Sequence, residues 1–437
     1  MLKRYFILLT AVAALISAWG CNDRGTNVPN FPVDRWEIYP RGDHVFDTLL
    51  ALQIRNESQL LLTSTYIPKV ALPRYGSQPV PTLVLLAPEE EDKFFYFNHG
   101  LLELLQEMIL SGEIQPMVVC CVGNDRVFGG YWYGNSAPAG YYDGIIGAPP
   151  VNLSQLLGWL HNSIPATINL SSKRGIGGVG TAAYGAFRAI LRNPGVYKSI
   201  SVTDGPLDFD GADGNSGLIP LFKVAMAEQA AFRHPDRDTI FFDSLALSPI
   251  SRILLGGAFA FSPKDTGVTF TYTPVIRHLS NPTRDTSYVT IQIASRRSIL
   301  DDTTLVKNLV VSGRTYHLFD PIMPFYIDTL HAPNLPGDIY PPIWSLWLAN
   351  SPDSLYARAG ANPLDSVNMF FATSPQSPHN YYPMTQSWIT TLKEKGLSSQ
   401  ITEYDHSGVN GAPVGDGEYM YDLLRTMLKF HSDNFGR

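Results

Sequence analysis

One stretch near the middle of the chain constrains the fold more than any other: Gly178-Val179-Gly180-Thr181-Ala182-Ala183-Tyr184-Gly185-Ala186. Ahead of it, Lys173-Arg174-Gly175-Ile176-Gly177-Gly178 reads as a short strand ending in glycines. Behind it, Ala182 to Asn193 places Ala182, Ala183, Ala186, Ala189 and Ile190 at helical spacing, and Pro194-Gly195 stops the run. Tyr197 to Val202 reads as a second strand, and the turn Asp204-Gly205-Pro206 follows. Strand, tight turn, helix, strand is a crossover unit, and crossovers belong to parallel sheets.

The flanking sequence repeats the pattern. Pro81 to Leu86 is an apolar strand, and Phe97 to Ser111 carries a helix that includes Leu101-Leu102-Glu103-Leu104-Leu105. Pro116 to Val122 is a fully apolar run, as a parallel strand covered on both faces requires. Leu153 to Ile164 is an amphipathic helix. This β-α-β-α-β order with short loops predicts an α/β fold with a doubly wound, mostly parallel sheet. Earlier runs such as Leu60 to Ile67 are expected to form antiparallel strands at the sheet edge.

The order of these segments resembles the esterase family of α/β-hydrolases that includes esterase D, enterochelin esterase and the antigen 85 mycolyltransferases. The resemblance is carried by Leu83 to Pro88, Gly100 to Leu105, Gln115-Pro116-Met117-Val118-Val119, Gly178 to Ala186 and Asp204 to Phe209. Ile343 to Pro352 and His406-Ser407-Gly408-Val409-Asn410 extend it toward the C-terminus. It implies an α/β-hydrolase fold in which Gly178 to Ala182 is the G-x-S-x-G nucleophile elbow, a sharp strand-to-helix turn.

A serine hydrolase needs a nucleophile, a base, an acid that orients the base, and donors for the oxyanion. At the nucleophile position stands Gly180. Glycine adopts the positive φ of an elbow at little cost, so the substitution keeps the turn and removes the reactive oxygen. Thr181 is adjacent, but a residue one place along the turn points elsewhere. The resemblance puts the acid in the turn after Val367 to Ala372, at Ser377, where a neutral hydroxyl cannot stabilise an imidazolium as a carboxylate does. It puts the base at His406, the one triad position kept; the alternative is an ordinary loop histidine. The family's His-Gly oxyanion loop is replaced by Ala87-Pro88, followed by Glu89-Glu90-Glu91-Asp92. Proline removes an N–H, and carboxylates beside the site would oppose an oxyanion unless they stand in solvent. The expectation is an esterase-like chain without hydrolase activity, acting as a binding or interaction module. The alternative is an active carboxylic-ester hydrolase or acyltransferase with an atypical site.

In Phe128-Gly129-Gly130-Tyr131-Trp132-Tyr133-Gly134-Asn135, the rings of Tyr131, Trp132 and Tyr133 are candidates to line a groove for a carbohydrate or a peptide. The alternative is that they pack on the domain. Asp208, Asp210, Asp213 and Asn215 are oxygen donors of the kind calcium takes, but Ala212 breaks the spacing. They read as a polar turn, and neither a metal nor a cofactor is expected. There is no P-loop, dinucleotide fingerprint or zinc spacing. A net charge of −7 gives a nucleic-acid role no electrostatic support.

Residues 1–21 read as an export signal: Lys3-Arg4, a mostly apolar stretch from Tyr5 to Ile16, then Ala18-Trp19-Gly20-Cys21. The Gly-Cys ending resembles a bacterial lipobox. It implies cleavage before Cys21, lipid on that cysteine, an envelope membrane location and a tether over residues 22–30. The alternative is an ordinary signal peptide on a secreted or periplasmic protein. Cys120 and Cys121 are expected as buried thiols with no disulfide framework. The hydrolase-like domain is expected over residues 31–209 and 341–437. Residues 210–340 form a long insertion, with a helix near Leu218 to Ala231 and strand-like runs at Val268 to Thr273, Tyr288 to Ile293 and Leu309 to Val311. It departs after the strand that follows the elbow. It is therefore expected to act as a cap at the C-terminal edge of the sheet, where open α/β folds bind ligands.

Overall fold

The computed structural model describes residues 46–56, 59–72, 76–124, 132–136, 140–141, 155–164, 166–167, 170–211, 217–231, 248–262, 270–272, 275–276, 287–288, 291–293, 307–311, 314–318, 341–375, 377, 379–405 and 417–436. The export signal, Cys21 and the tether lie outside them, as do Tyr131, Asp213, Asn215 and His406.

Among the described residues, eight strands form one sheet: β1 (Phe46–Asn56), β2 (Gln59–Pro68), β3 (Thr82–Leu86), β4 (Val118–Val122), β5 (Arg174–Val179), β6 (Ser199–Thr203), β7 (Asn368–Thr373) and β8 (Ile401–Asp405). Their order across the sheet is β1-β2-β4-β3-β5-β6-β7-β8. β2 is antiparallel to both of its neighbours, and every pairing from β4 across to β8 is parallel. This is the doubly wound, mostly parallel sheet that the sequence order predicts, with the antiparallel hairpin at one edge.

Sequence explains why the centre of the sheet is dry. Every residue of Thr-Leu-Val-Leu-Leu in β3 and of Val-Val-Cys-Cys-Val in β4 is buried. Both side-chain parities are therefore covered, which an alternating polar pattern would not survive. Cys120 and Cys121 are free thiols within this layer, and burial pushes Cys120 up to about 12. A thiol so held stays protonated and inert.

The helices include α1 (Leu101–Leu110), α2 (Gln155–Ser163), α3 (Thr181–Arg192), α4 (Ile219–Ala231), α5 (Pro249–Phe261), α6 (Pro341–Leu348), α7 (Pro352–Arg358), α8 (Tyr382–Glu394) and α9 (Gly417–Asn434). On one face, Leu101, Leu104, Leu105 and Met108 of α1 pack with Met420, Leu424, Met427 and Leu428 of α9 over Leu83, Leu85, Val119 and Phe370. On the other, Phe187 of α3 stacks on Phe371 at 5.7 Å and meets Trp388 of α8 edge-on at 5.9 Å. Adjacent residues Phe370 and Phe371 thus serve opposite layers, as strand alternation demands.

Within the insertion, α4 occupies the expected helical stretch. The strand-like runs fall in three short antiparallel pairings: Phe270–Tyr272 with Ile291–Ile293, Val275–Ile276 with Ser287–Tyr288, and Lys307–Val311 with Arg314–Leu318. Among the described residues, no helix is long and apolar enough to cross a membrane.

Candidate functional site

The site is built at the C-terminal ends of the strands, around the turn between β5 and α3. Gly180 sits there with φ 61° and ψ −130°, a conformation that side-chain-bearing residues hold only under strain. Its N–H donates to the Thr203 carbonyl at 3.0 Å, and its carbonyl accepts from Ala183 N–H at 3.0 Å, so the turn is fixed from both sides. Gly178 lets α3 approach closely, since a Cβ there would collide with the Ala182 carbonyl oxygen. The elbow geometry is therefore present, and glycine occupies the position where a nucleophile would stand.

That position is filled from elsewhere in the chain. A Cβ on Gly180 would collide with Glu89 Oε2 and stand 2.9 Å from Glu89 Oε1. The Thr181 N–H donates to Glu89 Oε2 at 2.9 Å, and the Thr181 hydroxyl donates to the same oxygen at 3.0 Å. The Tyr381 hydroxyl donates to Glu89 Oε1 at 3.3 Å, and His379 Nε2 lies 3.5 Å from that oxygen. The Glu89 side chain is only 9 % exposed. A carboxylate at the first turn of α3 is also favoured by the helix dipole. In an elbow, the N–H of the residue after the nucleophile is an oxyanion donor. Here that donor, Thr181 N–H, is already bound to a negative charge.

Within the acidic run after Pro88, Glu89 is thus turned away from solvent, while Glu91 stays exposed. Glu90, in the left-handed region at φ 65°, makes a paired salt bridge with Arg252 of α5, whose Nη2 lies 2.7 Å from Glu90 Oε2. Asp92 Oδ1 accepts from Phe94 N–H at 2.7 Å. Glu91 is shifted upward by desolvation first, then by its acidic neighbours, with His99 opposing. The loop is held, and Glu89 is its inward-facing member.

Ser377, the residue the resemblance puts at the acid position, lies in the loop after β7. Ser377 N–H donates to the Ser374 carbonyl at 3.0 Å, and Ser377 Oγ is buried with no partner among the described residues. The same loop supplies His379 and Tyr381, which the resemblance does not point to; their signal in the sequence is a histidine in a loop at the C-terminal end of a parallel strand. Asp204, directly after β6 at φ 38° and 1 % exposed, is a further site residue that the sequence pattern does not mark. Its Oδ1 accepts from Ser374 N–H at 3.0 Å, while Oδ2 has no partner among the described residues. Burial raises it to about 7, with the Ser374 N–H pulling the other way.

Trp132 and Tyr133 are buried rings, at 0 % and 2 % exposure, and offer no face to a groove. Trp132 meets Tyr184, Phe209 and Phe261 edge-on at 5.5–5.7 Å and donates from Nε1 to the Ile253 carbonyl. Tyr133 donates to the Ala87 carbonyl at 2.7 Å, bracing the loop that carries Glu89. Of the two readings the sequence left open for these rings, a groove lining or packing on the domain, Trp132 and Tyr133 take the second: the cluster buries their apolar faces and satisfies both polar tips. Asp208 Oδ1 accepts from Gly211 N–H at 2.9 Å, a turn contact. Among the described residues, no group of three acidic, His or Cys side chains could hold a metal.

No family model matches the chain, and no curated protein matches it. Solved structures do. A ferulic acid esterase superposes with a TM-score of 0.50 at 12 % identity, covering 89 % of this chain and 98 % of its own. An S-formylglutathione hydrolase from Staphylococcus aureus gives a TM-score of 0.45 at 10 % identity, covering 88 % and 98 %. Mycobacterium tuberculosis MPT51 gives 0.45 at 12 % identity, covering 89 % and 99 %. At such identities the likeness is one of fold: the strand order, the elbow after β5 and the esterase superposition make this an α/β-hydrolase fold.

Proposed function

We propose that this chain is an esterase-fold protein without serine-hydrolase activity, working as a binding or interaction module. The observation that supports it is the Glu89 carboxylate lodged at Gly180 and bound to the Thr181 N–H. Acyl transfer needs an oxygen nucleophile at the elbow and an empty hole beside it. Here the first is absent, and the second holds a negative charge that would repel a developing oxyanion. Ser377 in place of an acid, and Pro88 without an N–H, point the same way.

The purified protein is expected to turn over no p-nitrophenyl ester above a heat-killed control and to take no label from a fluorophosphonate. Loss of triad members typically removes on the order of 10⁴–10⁶ in rate. Robust labelling or turnover would overturn the reading. One observation favours the alternative of an active ester hydrolase or acyltransferase: His379 and Glu89 place a base beside a carboxylate at the elbow. Ester turnover that vanished in both H379A and E89A would establish that alternative.

The setting we propose is a bacterial envelope, with the domain held at a membrane by lipid on Cys21 and the residue 210–340 insertion acting as its cap. Mass spectrometry of the mature N-terminus is expected to find a lipidated Cys21. An unmodified N-terminus at another residue would make the protein simply secreted or periplasmic. No cofactor, metal or nucleic acid takes part on this reading.

A further inference from the structure

We propose that the elbow pocket is a carboxylate-binding site, filled in cis by Glu89 and open to an exogenous small carboxylate when Glu89 leaves. The donors come in two pairs, one for each oxygen. Thr181 N–H and Thr181 Oγ1 serve Oε2; Tyr381 Oη and His379 Nε2 face Oε1. Two pairs of donors, one pair for each of two oxygens, suit a carboxylate. Thr181 is fully buried and Tyr381 is 2 % exposed, so the site is built into the core edge rather than laid on a surface. The N-terminus of the twelve-residue helix α3 adds partial positive charge at the same point.

Gly180 takes on a positive role in this arrangement. Any side chain there would occupy the space of the carboxylate, so the glycine that removes a nucleophile also makes room for an acid. Glu89 is a displaceable occupant because its Oε1 contacts are long, at 3.3 and 3.5 Å. An incoming carboxylate would exchange for Glu89 one charge for one charge, with no bond made or broken.

The inference rests on the elbow having no nucleophile, and its test reads binding rather than turnover. Acetate is the probe, titrated by calorimetry and thermal melting at constant ionic strength against chloride. E89A is expected to bind acetate saturably and at least tenfold more tightly than wild type, whose own carboxylate competes. E89A/T181V, which removes the hydroxyl donor, is expected to lose most of that gain. Should E89A not fold, E89S carries the same titration. A folded E89 variant that gains no acetate binding, or that responds equally to chloride, would overturn the proposal while leaving the inactive-hydrolase reading untouched. Ester turnover by wild type would instead sink that reading.

Discussion

Gly180→Ser is expected to lower the stability of the fold by about 3 kcal/mol and to yield no esterase activity. Part of the loss is backbone strain, because φ 61° and ψ −130° are tolerated by glycine and cost a residue with Cβ ~1–3 kcal/mol. The rest comes from Glu89. The new Cβ collides with its carboxylate, so Glu89 must leave Thr181 N–H, Thr181 Oγ1 and Tyr381 Oη, each of which then seeks another partner. Buried donors left unpaired cost about 1–3 kcal/mol each before water or the new hydroxyl offsets it. Activity should still be absent in G180S and in G180S/S377D, since the displaced Glu89 carboxylate stays tethered beside the elbow and Pro88 offers no N–H to an oxyanion. The double variant G180S/E89A separates the two sources of instability. Its loss should be smaller than the sum of the single losses by ~1–2 kcal/mol, because the collision exists only when both side chains are present. Urea and thermal melts measure the cycle, and p-nitrophenyl acetate hydrolysis runs alongside. G180S melting like wild type would mean that Glu89 does not fill the elbow. Esterase activity in G180S/E89A but not in G180S would mean a complete site blocked by one side chain, against the dismantled site argued above.

How much of this was legible in the sequence depends on the range of the contacts. The apolar runs of β3 and β4, the glycines of β5 and the alanine-spaced face of α3 are local signals, and each element lies within a few residues of its expected bounds. The elbow was legible for the same reason, since a glycine at the turn between strand and helix needs no partner to declare itself. Glu89 was not. Its run of four acids reads as solvated, and its real partner is separated from it by the whole of β4 and α2 in sequence. Only the order β4-β3-β5, which brings the loop after β3 beside the start of α3, makes that contact available. His379 and Asp204 were hidden likewise: short loop residues whose meaning comes from the strands that flank them in space. Trp132 failed in the opposite sense. An aromatic-glycine run looks like a binding surface until Phe261 of α5 and Trp347 of α6 cover it.

Two buried groups should give the protein opposed pH responses that single substitutions unmask. His431 of α9 is fully buried between two serines of β6, with Nδ1 2.7 Å from Ser199 Oγ and Nε2 2.9 Å from Ser201 Oγ. A neutral ring suits both hydroxyls as one donor and one acceptor, and burial without a carboxylate lowers its pKa to about 3. The unfolded chain then takes up the proton first, so this group's contribution is intact above about pH 6.5 and is lost as pH falls toward 3. Asp204 works the other way. Burial raises it to about 7, so the folded state holds the proton more tightly, and its contribution is present below about pH 4 and lost as pH rises through 7. Each slope is at most about 1.4 kcal/mol per pH unit. Between about pH 4 and 6.5 the two therefore oppose each other, on a background shared with the exposed carboxylates. H431Q should remove the acid-labile member, so stability relative to wild type should rise on acidification from pH 6.5 to 4. D204N should remove the other, so relative stability should fall over the same interval. The expected divergence between the two variants approaches 2 kcal/mol per pH unit at its steepest, read as the difference in urea-denaturation free energy at pH 4.5, 5.5 and 6.5. Parallel curves for the two variants would show that neither group carries its proton as its burial requires. Divergence of the opposite sign would reverse the assignment of which one is held neutral.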